Sequence, residues 1–124
     1  MAKIFLDANF FIDLIEQRKK INFNQFKSHS LFLSVLTLHI YIYLYKIKIP
    51  DKNLEKLLSF FNIIPLEEKI FYSSLKGPFS DFEDNIQLHS SSLAECDVYL
   101  TNDKKILKLK FFGKTKIISS LEEI

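Results

Sequence analysis

Three aspartates, Asp7, Asp84 and Asp103, lie far apart in the sequence but in places of corresponding kind. Asp7 ends the apolar run Ile4-Phe5-Leu6, and Asp103 follows the run Val98-Tyr99-Leu100 and its polar stop Thr101-Asn102. Asp84 lies near the start of a helical stretch, Ser80-Asp81-Phe82-Glu83-Asp84. If the two runs are neighbouring parallel strands, their carboxylates meet at one edge of the sheet. Carboxylates gathered without a nearby Lys or Arg repel one another, and a divalent cation is the usual remedy. The pattern predicts a metal site. Each acid also has a structural alternative. Asp7 can cap a helix near Asn9, and Asp103 can cap a helix opening at Lys104. Ser80-Asp81-Phe82-Glu83 matches a capping box, with Asp81 favoured by the helix dipole. Asp84 is not required by that cap, which assigns it to the site, and Asp81 shares its face.

Positioning these acids takes alternating strands and helices. Residues 2–6 read as a buried strand and residues 9–17 as a helix with Asn9 at its N-cap. A turn over residues 22–27 leads to a strand over 31–34, and Thr37 suits the cap of a helix that runs to about residue 45. Residues 51–61 form an amphipathic helix with Leu54, Leu57, Leu58 and Phe61 on one face. A short strand at 62–65, a helix over 67–75 broken by Gly77-Pro78, and a helix from Ser80 to about Glu95 follow. That last helix is expected to turn Phe82, Ile86, His89 and Leu93 inward. A strand at 97–100, a short helix at 104–109, a strand at 116–118 and a terminal turn complete the chain. The expectation is an α/β fold, a three-layer α/β/α sandwich on a parallel sheet of about five strands in the order 3-2-1-4-5. Ligands in such sheets bind beyond the strand C-termini, where the winding changes direction. Asp7 and Asp103 fall there.

The 124 residues, with apolar content of 48%, suit one domain over residues 1–124 with a single core. The lone cysteine, Cys96, has no intrachain disulfide partner and suits a reducing, cytoplasmic setting. Residues 30–45 carry no Asp, Glu, Lys or Arg, but the stretch is too short to span a membrane and includes Ser34, Thr37 and His39. A net charge of +2 says little about partners, whereas its distribution says more. Lys104, Lys105, Lys108, Lys110, Lys114 and Lys116 share one stretch, and Arg18, Lys19 and Lys20 form a second group. Each cluster alone reads as a solvated face. Both follow a strand-end acid, so a polyanion approaching that edge would meet them.

The stretches Ile4-Phe5-Leu6-Asp7-Ala8-Asn9, Asp81-Phe82-Glu83-Asp84-Asn85-Ile86-Gln87 and Tyr99-Leu100-Thr101-Asn102-Asp103 resemble the motifs of the PIN-domain family, which includes the ribonuclease toxins of VapC-type toxin–antitoxin systems. Leu33-Ser34-Val35-Leu36-Thr37-Leu38 resembles that family's second motif, and the likeness spans almost the whole chain in the family's order. The resemblance implies a ribonuclease that binds Mg²⁺ or Mn²⁺ through Asp7, Asp84 and Asp103 and hydrolyses RNA phosphodiester bonds. Asn9, Ser34 and Thr101 fall on polar positions that orient those acids, and Lys104, Lys105 and Lys108 are the expected phosphate contacts. It also implies a homodimer and an antitoxin partner. The tyrosines of Tyr41-Ile42-Tyr43-Leu44-Tyr45 recur every second residue, so a helix cannot turn all of them to one core, which suits a partner surface.

One departure from the family stands out. Its members carry a Glu early in the helix after the second strand, whereas no acid occurs here between Glu16 and Asp51. His39 stands near that slot, as a neutral ligand or phosphate contact or, alternatively, as a buried or capping histidine. Asp81 or Glu83 can supply replacement charge. A catalytically impaired RNA- or protein-binding module is the alternative function. Other chemistries fit worse. The three histidines lack zinc spacing, and the two glycines make no phosphate-binding loop.

Overall fold

A computed structural model describes residues 1–16 and 23–124. The basic group Arg18, Lys19 and Lys20 therefore lies outside the described residues. The chain order is β1 (Lys3–Leu6), α1 (Ala8–Glu16), a 3₁₀ turn (Phe23–Phe26), β2 (Ser30–Ser34), α2 (Val35–Leu44), α3 (Lys52–Leu58) and β3 (Asn62–Ile64). Then come α4 (Glu68–Ser74), α5 (Phe82–Leu93), β4 (Val98–Leu100), α6 (Lys104–Leu107), β5 (Phe111–Phe112), β6 (Thr115–Ile118) and a 3₁₀ turn (Leu121–Glu123).

Side chains alternate across the strands and feed two cores. Ile4, Leu6, Leu31, Leu33, Val98, Leu100 and Ile118 pack on one face of the sheet with Phe10, Phe11 and Leu14 of α1, Tyr41 of α2 and Leu54 of α3. Phe5, Tyr99 and Ile117 face the other way, against Ile70 of α4, Ile86 and Leu88 of α5 and Ile106 of α6. Apolar residues on both faces of each strand demand helices on both sides, which gives three layers.

The sheet order is β3-β2-β1-β4-β6-β5. The first five strands in that order are parallel neighbours, with Ile4 opposite Val98 and Leu6 opposite Leu100 across β1 and β4. The expected 3-2-1-4-5 order holds with one addition. Phe111–Phe112 forms a two-residue strand antiparallel to β6, so the strand expected fifth is the sixth. Gly113 takes the positive φ of 60° that opens the two-residue hairpin turn, which ends at Thr115. The winding reverses between β1 and β4, as expected.

Three caps differ from the sequence reading. Asn9 lies inside α1, because the Phe11 N–H already bonds to the Asp7 carbonyl at 2.9 Å. Ser34 rather than Thr37 caps α2, accepting the Thr37 N–H at 3.1 Å. Asp81 rather than Ser80 caps α5, accepting the Asp84 N–H at 3.2 Å, so the Ser80–Glu83 box does not form. Of the residues of α5 expected inward, Ile86 is buried and Phe82 packs against the core, whereas Leu93 is exposed; Asn85, Gln87, Leu88, Ser90 and Ser91 are buried as well. Among the described residues, no helix is long and apolar enough to cross a membrane.

Candidate active site

Asp7 leaves β1 at the switch point, where its N–H bonds to the Leu100 carbonyl of β4 at 3.0 Å. Its side chain is buried and held by three neutral donors. The Ala8 N–H reaches Oδ1 at 2.9 Å, the Tyr99 hydroxyl reaches Oδ1 at 3.2 Å, and the Thr101 hydroxyl reaches Oδ2 at 2.7 Å. Burial pushes the Asp7 carboxyl above the ordinary range, the three hydrogen bonds oppose that, and the charge of Asp84 adds to it. Tyr99 is fully buried, its ring stacked on Phe5 with centroids 5.1 Å apart. Burial first, and then the Asp7 charge, raises its phenol well above the ordinary value, which keeps it a neutral donor.

Thr101 also joins Asp7 to Asp103. The hydroxyl that donates to Asp7 accepts the Asp103 N–H at 3.0 Å. Asp103 in turn caps α6, its Oδ1 accepting the Lys105 N–H at 2.9 Å. Lys105 then reaches across to α5, where its Nζ donates to Asp84 Oδ2 at 2.7 Å. The bond to Asp84 raises the ammonium's pKa despite some desolvation, and the charges of Asp84, Asp103 and Asp81 add to the effect, so Lys105 stays protonated. Thr101 and Lys105 thus string the three acids into one unbroken row, Asp7–Thr101–Asp103–Lys105–Asp84. The capping alternatives for Asp7 and Asp103 are real bonds, and they coexist with membership of this row.

Lys105 is one of the three lysines expected to meet phosphate, and it is exposed. It corrects one expectation: the acids were expected to lack a nearby cation, and its ammonium is bound to Asp84. Sequence offers little sign of this, because the pair is separated by 21 residues and depends on the docking of α5 beside α6. Lys104 and Lys108 are exposed, as phosphate contacts require.

The remaining candidates divide. Thr101 is in the row. Asn9 is exposed and borders, with Asp103, an open groove of about 620 Å³ that runs between Ile12 of α1 and the end of α2 at Leu44 and Tyr45. Ser34 points elsewhere: it donates to Gln87 Oε1, and Gln87 Nε2 donates to Thr37 Oγ1 at 2.7 Å, a buried neutral trio tying α2 to α5. Asp81 and Glu83 are exposed, and Asp81 spends one oxygen on its cap. His39 is exposed rather than buried, its ring edge-on to Tyr43 one turn along, with centroids 6.3 Å apart.

In kind, the donor set fits a hard divalent cation, since it offers three carboxylates and hydroxyl oxygen. Buried Asp7, with only neutral donors and a second acid raising its pKa, is the group a cation would relieve. In this conformation protein donors bond to both oxygens of Asp7, to Oδ1 of Asp103 and to Oδ2 of Asp84. Among the described residues, no three acidic, histidine or cysteine side chains close around a point that could hold a metal ion.

No protein-family model matches the chain, and no curated protein matches it by sequence. Solved structures do match. VapBC2 from Rickettsia felis, bound to a DNA fragment from its promoter, contains a chain alike at a TM-score of 0.68 and 18% identity, over 94% of this chain and 97% of that one. DNA-bound VapBC from Salmonella typhimurium gives 0.65 and 21%, over 95% and 98%. A toxin–antitoxin complex from Klebsiella pneumoniae gives 0.64 and 21%, over 82% and 88%. At such identities the likeness is one of fold: the chain has the PIN-like fold that its motifs resemble, shared with chains of VapBC toxin–antitoxin structures.

Proposed function

We propose that this chain is the toxin half of a toxin–antitoxin pair and that it hydrolyses RNA phosphodiester bonds with Mg²⁺ or Mn²⁺. The observation that carries the reading is the hydrogen-bonded row of three acids at the switch point of a PIN-like sheet. Asp7, Asp84 and Asp103 would hold the cation. When bound, such a cation activates the attacking water and neutralises charge developing on the phosphate. The chain's own residues do the rest. Tyr99, Thr101 and the Ala8 N–H fix the Asp7 carboxylate, Thr101 sets the Asp103 backbone, and exposed Lys104 and Lys108 draw the RNA backbone toward the edge. The antitoxin is the partner by likeness to the VapBC complexes. A second copy is the other partner, with Tyr43 and Leu44 of α2, 68% and 65% exposed, as the contact. Light scattering tests the dimer, and a strict monomer at micromolar concentration counts against it.

The purified protein should cleave RNA with Mg²⁺ or Mn²⁺, and Asp7→Asn should not. Equal cleavage by the two proteins sinks the assignment. A second reading, a non-catalytic PIN-fold module binding RNA or protein, draws support from the acid-free α2 and from the ammonium seated on Asp84. Wild type that binds RNA but leaves it intact with either metal would favour it.

A further inference from the structure

The Lys105 side chain is 49% exposed, whereas that of Asp84 is 20% exposed. The lysine backbone is fixed by its N–H bond to Asp103, so only the alkyl chain needs to move for the ammonium to leave. While it stays, the ammonium is held between the Asp84 carboxylate and the Phe79 ring, whose centroid is 5.1 Å away. A divalent cation at Asp84 would therefore meet a like charge and a carboxylate oxygen already in use. Both obstacles disappear if the ammonium swings into solvent.

We propose that Lys105 is the internal counter-ion of the acidic edge and that a divalent cation binds by displacing its ammonium from Asp84. The inference rests on the reading of the edge as a cation site. It makes binding an exchange of one cation for another. The acids are kept partly neutralised before the metal arrives, and metal affinity is lowered by whatever the ammonium gains at Asp84.

Two measurements on the full chain test this. Calorimetric titration with MnCl₂ should find Lys105→Met binding more tightly than wild type, by up to about fivefold, the loss of an exposed competing pair setting that scale. Lys105→Arg, which keeps the charge and the reach, should bind no more tightly than wild type. In parallel, the NMR signal of the Lys105 ammonium should shift with MgCl₂, saturating together with the Asp84 carboxyl signal. Tighter binding by Lys105→Met with an unmoved ammonium would reduce Lys105 to a repulsive charge and overturn displacement. Equal affinities would overturn the competition while leaving the cation site standing. No binding by any of the three proteins at millimolar metal would overturn the cation site itself.

Discussion

Asp7→Asn should make the protein more stable while removing its activity. Asp7 is 6% exposed, and its three donors are neutral. Burying an ionised carboxylate costs several kcal/mol after relaxation, and the raised pKa of Asp7 means that its hydrogen bonds do not recover that cost in full. An amide in the same place can still accept from the Ala8 N–H and Tyr99, and can donate to Thr101 Oγ1. The loss is the bond now donated by the Thr101 hydroxyl, about 1 kcal/mol. Relief of the buried charge should exceed this, leaving a net gain of about 1–2 kcal/mol near neutral pH. For 124 residues that corresponds to a rise in Tm of roughly 4–8 °C. The pH dependence has a definite sign. A carboxyl whose folded pKa is raised contributes stability that is present below its unfolded value and is lost as pH rises through the folded one. Wild type therefore loses ground with rising pH where Asp7→Asn does not, so the gap is widest at neutral to alkaline pH and closes on acidification. Thermal unfolding by circular dichroism, with EDTA present to remove stabilisation by bound metal, measures it from about pH 4 to about pH 8. A variant no more stable than wild type at the alkaline end, or a gap that does not change with pH, would show that the buried Asp7 charge costs the fold nothing.

Gln87→Ala should destabilise the fold by about 2–4 kcal/mol, since it opens a cavity and removes the two buried hydrogen bonds that join Gln87 to Ser34 and Thr37; denaturant unfolding checks this, and a loss below about 1 kcal/mol would contradict it. Cys96 is buried, and burial pushes its thiol up to about 12. A thiol reagent at mildly alkaline pH should therefore label it only as fast as the protein unfolds, and rapid labelling of the native protein would contradict the placement.

The positions of Asp7 and Asp103 were legible because Ile4-Phe5-Leu6 and Val98-Tyr99-Leu100 are uninterrupted apolar strands whose ends fix where the acids emerge. Parallel winding then brought them to the switch point. What escaped depends on distance or on polar burial. Phe111–Phe112 is too short to carry a period and needs β6 to pair with. The burial of Asn85 and Gln87 on α5 has no apolar signal in the sequence. Asn85 donates to the carbonyls of Ser74 and Phe79 and accepts the Phe79 N–H, while Gln87 joins residues 50 and 53 positions away. A search for apolar periodicity assigns such residues outward. The tyrosines of α2 were legible from their spacing, since residues two apart on a helix point nearly opposite ways, and Tyr41 is buried while Tyr43 is exposed.

Under the proposed function, Asp7, Asp84 and Asp103 act as one catalytic unit. Single-turnover cleavage of an end-labelled RNA pool in Mn²⁺ by wild type, Asp7→Asn, Asp84→Asn and Asp103→Asn tests it most directly. Wild type should cleave only with the metal present, and each variant should be folded and slower by at least about a hundredfold. Undiminished cleavage by any one variant, or intact RNA with folded wild type at millimolar Mn²⁺, would contradict it.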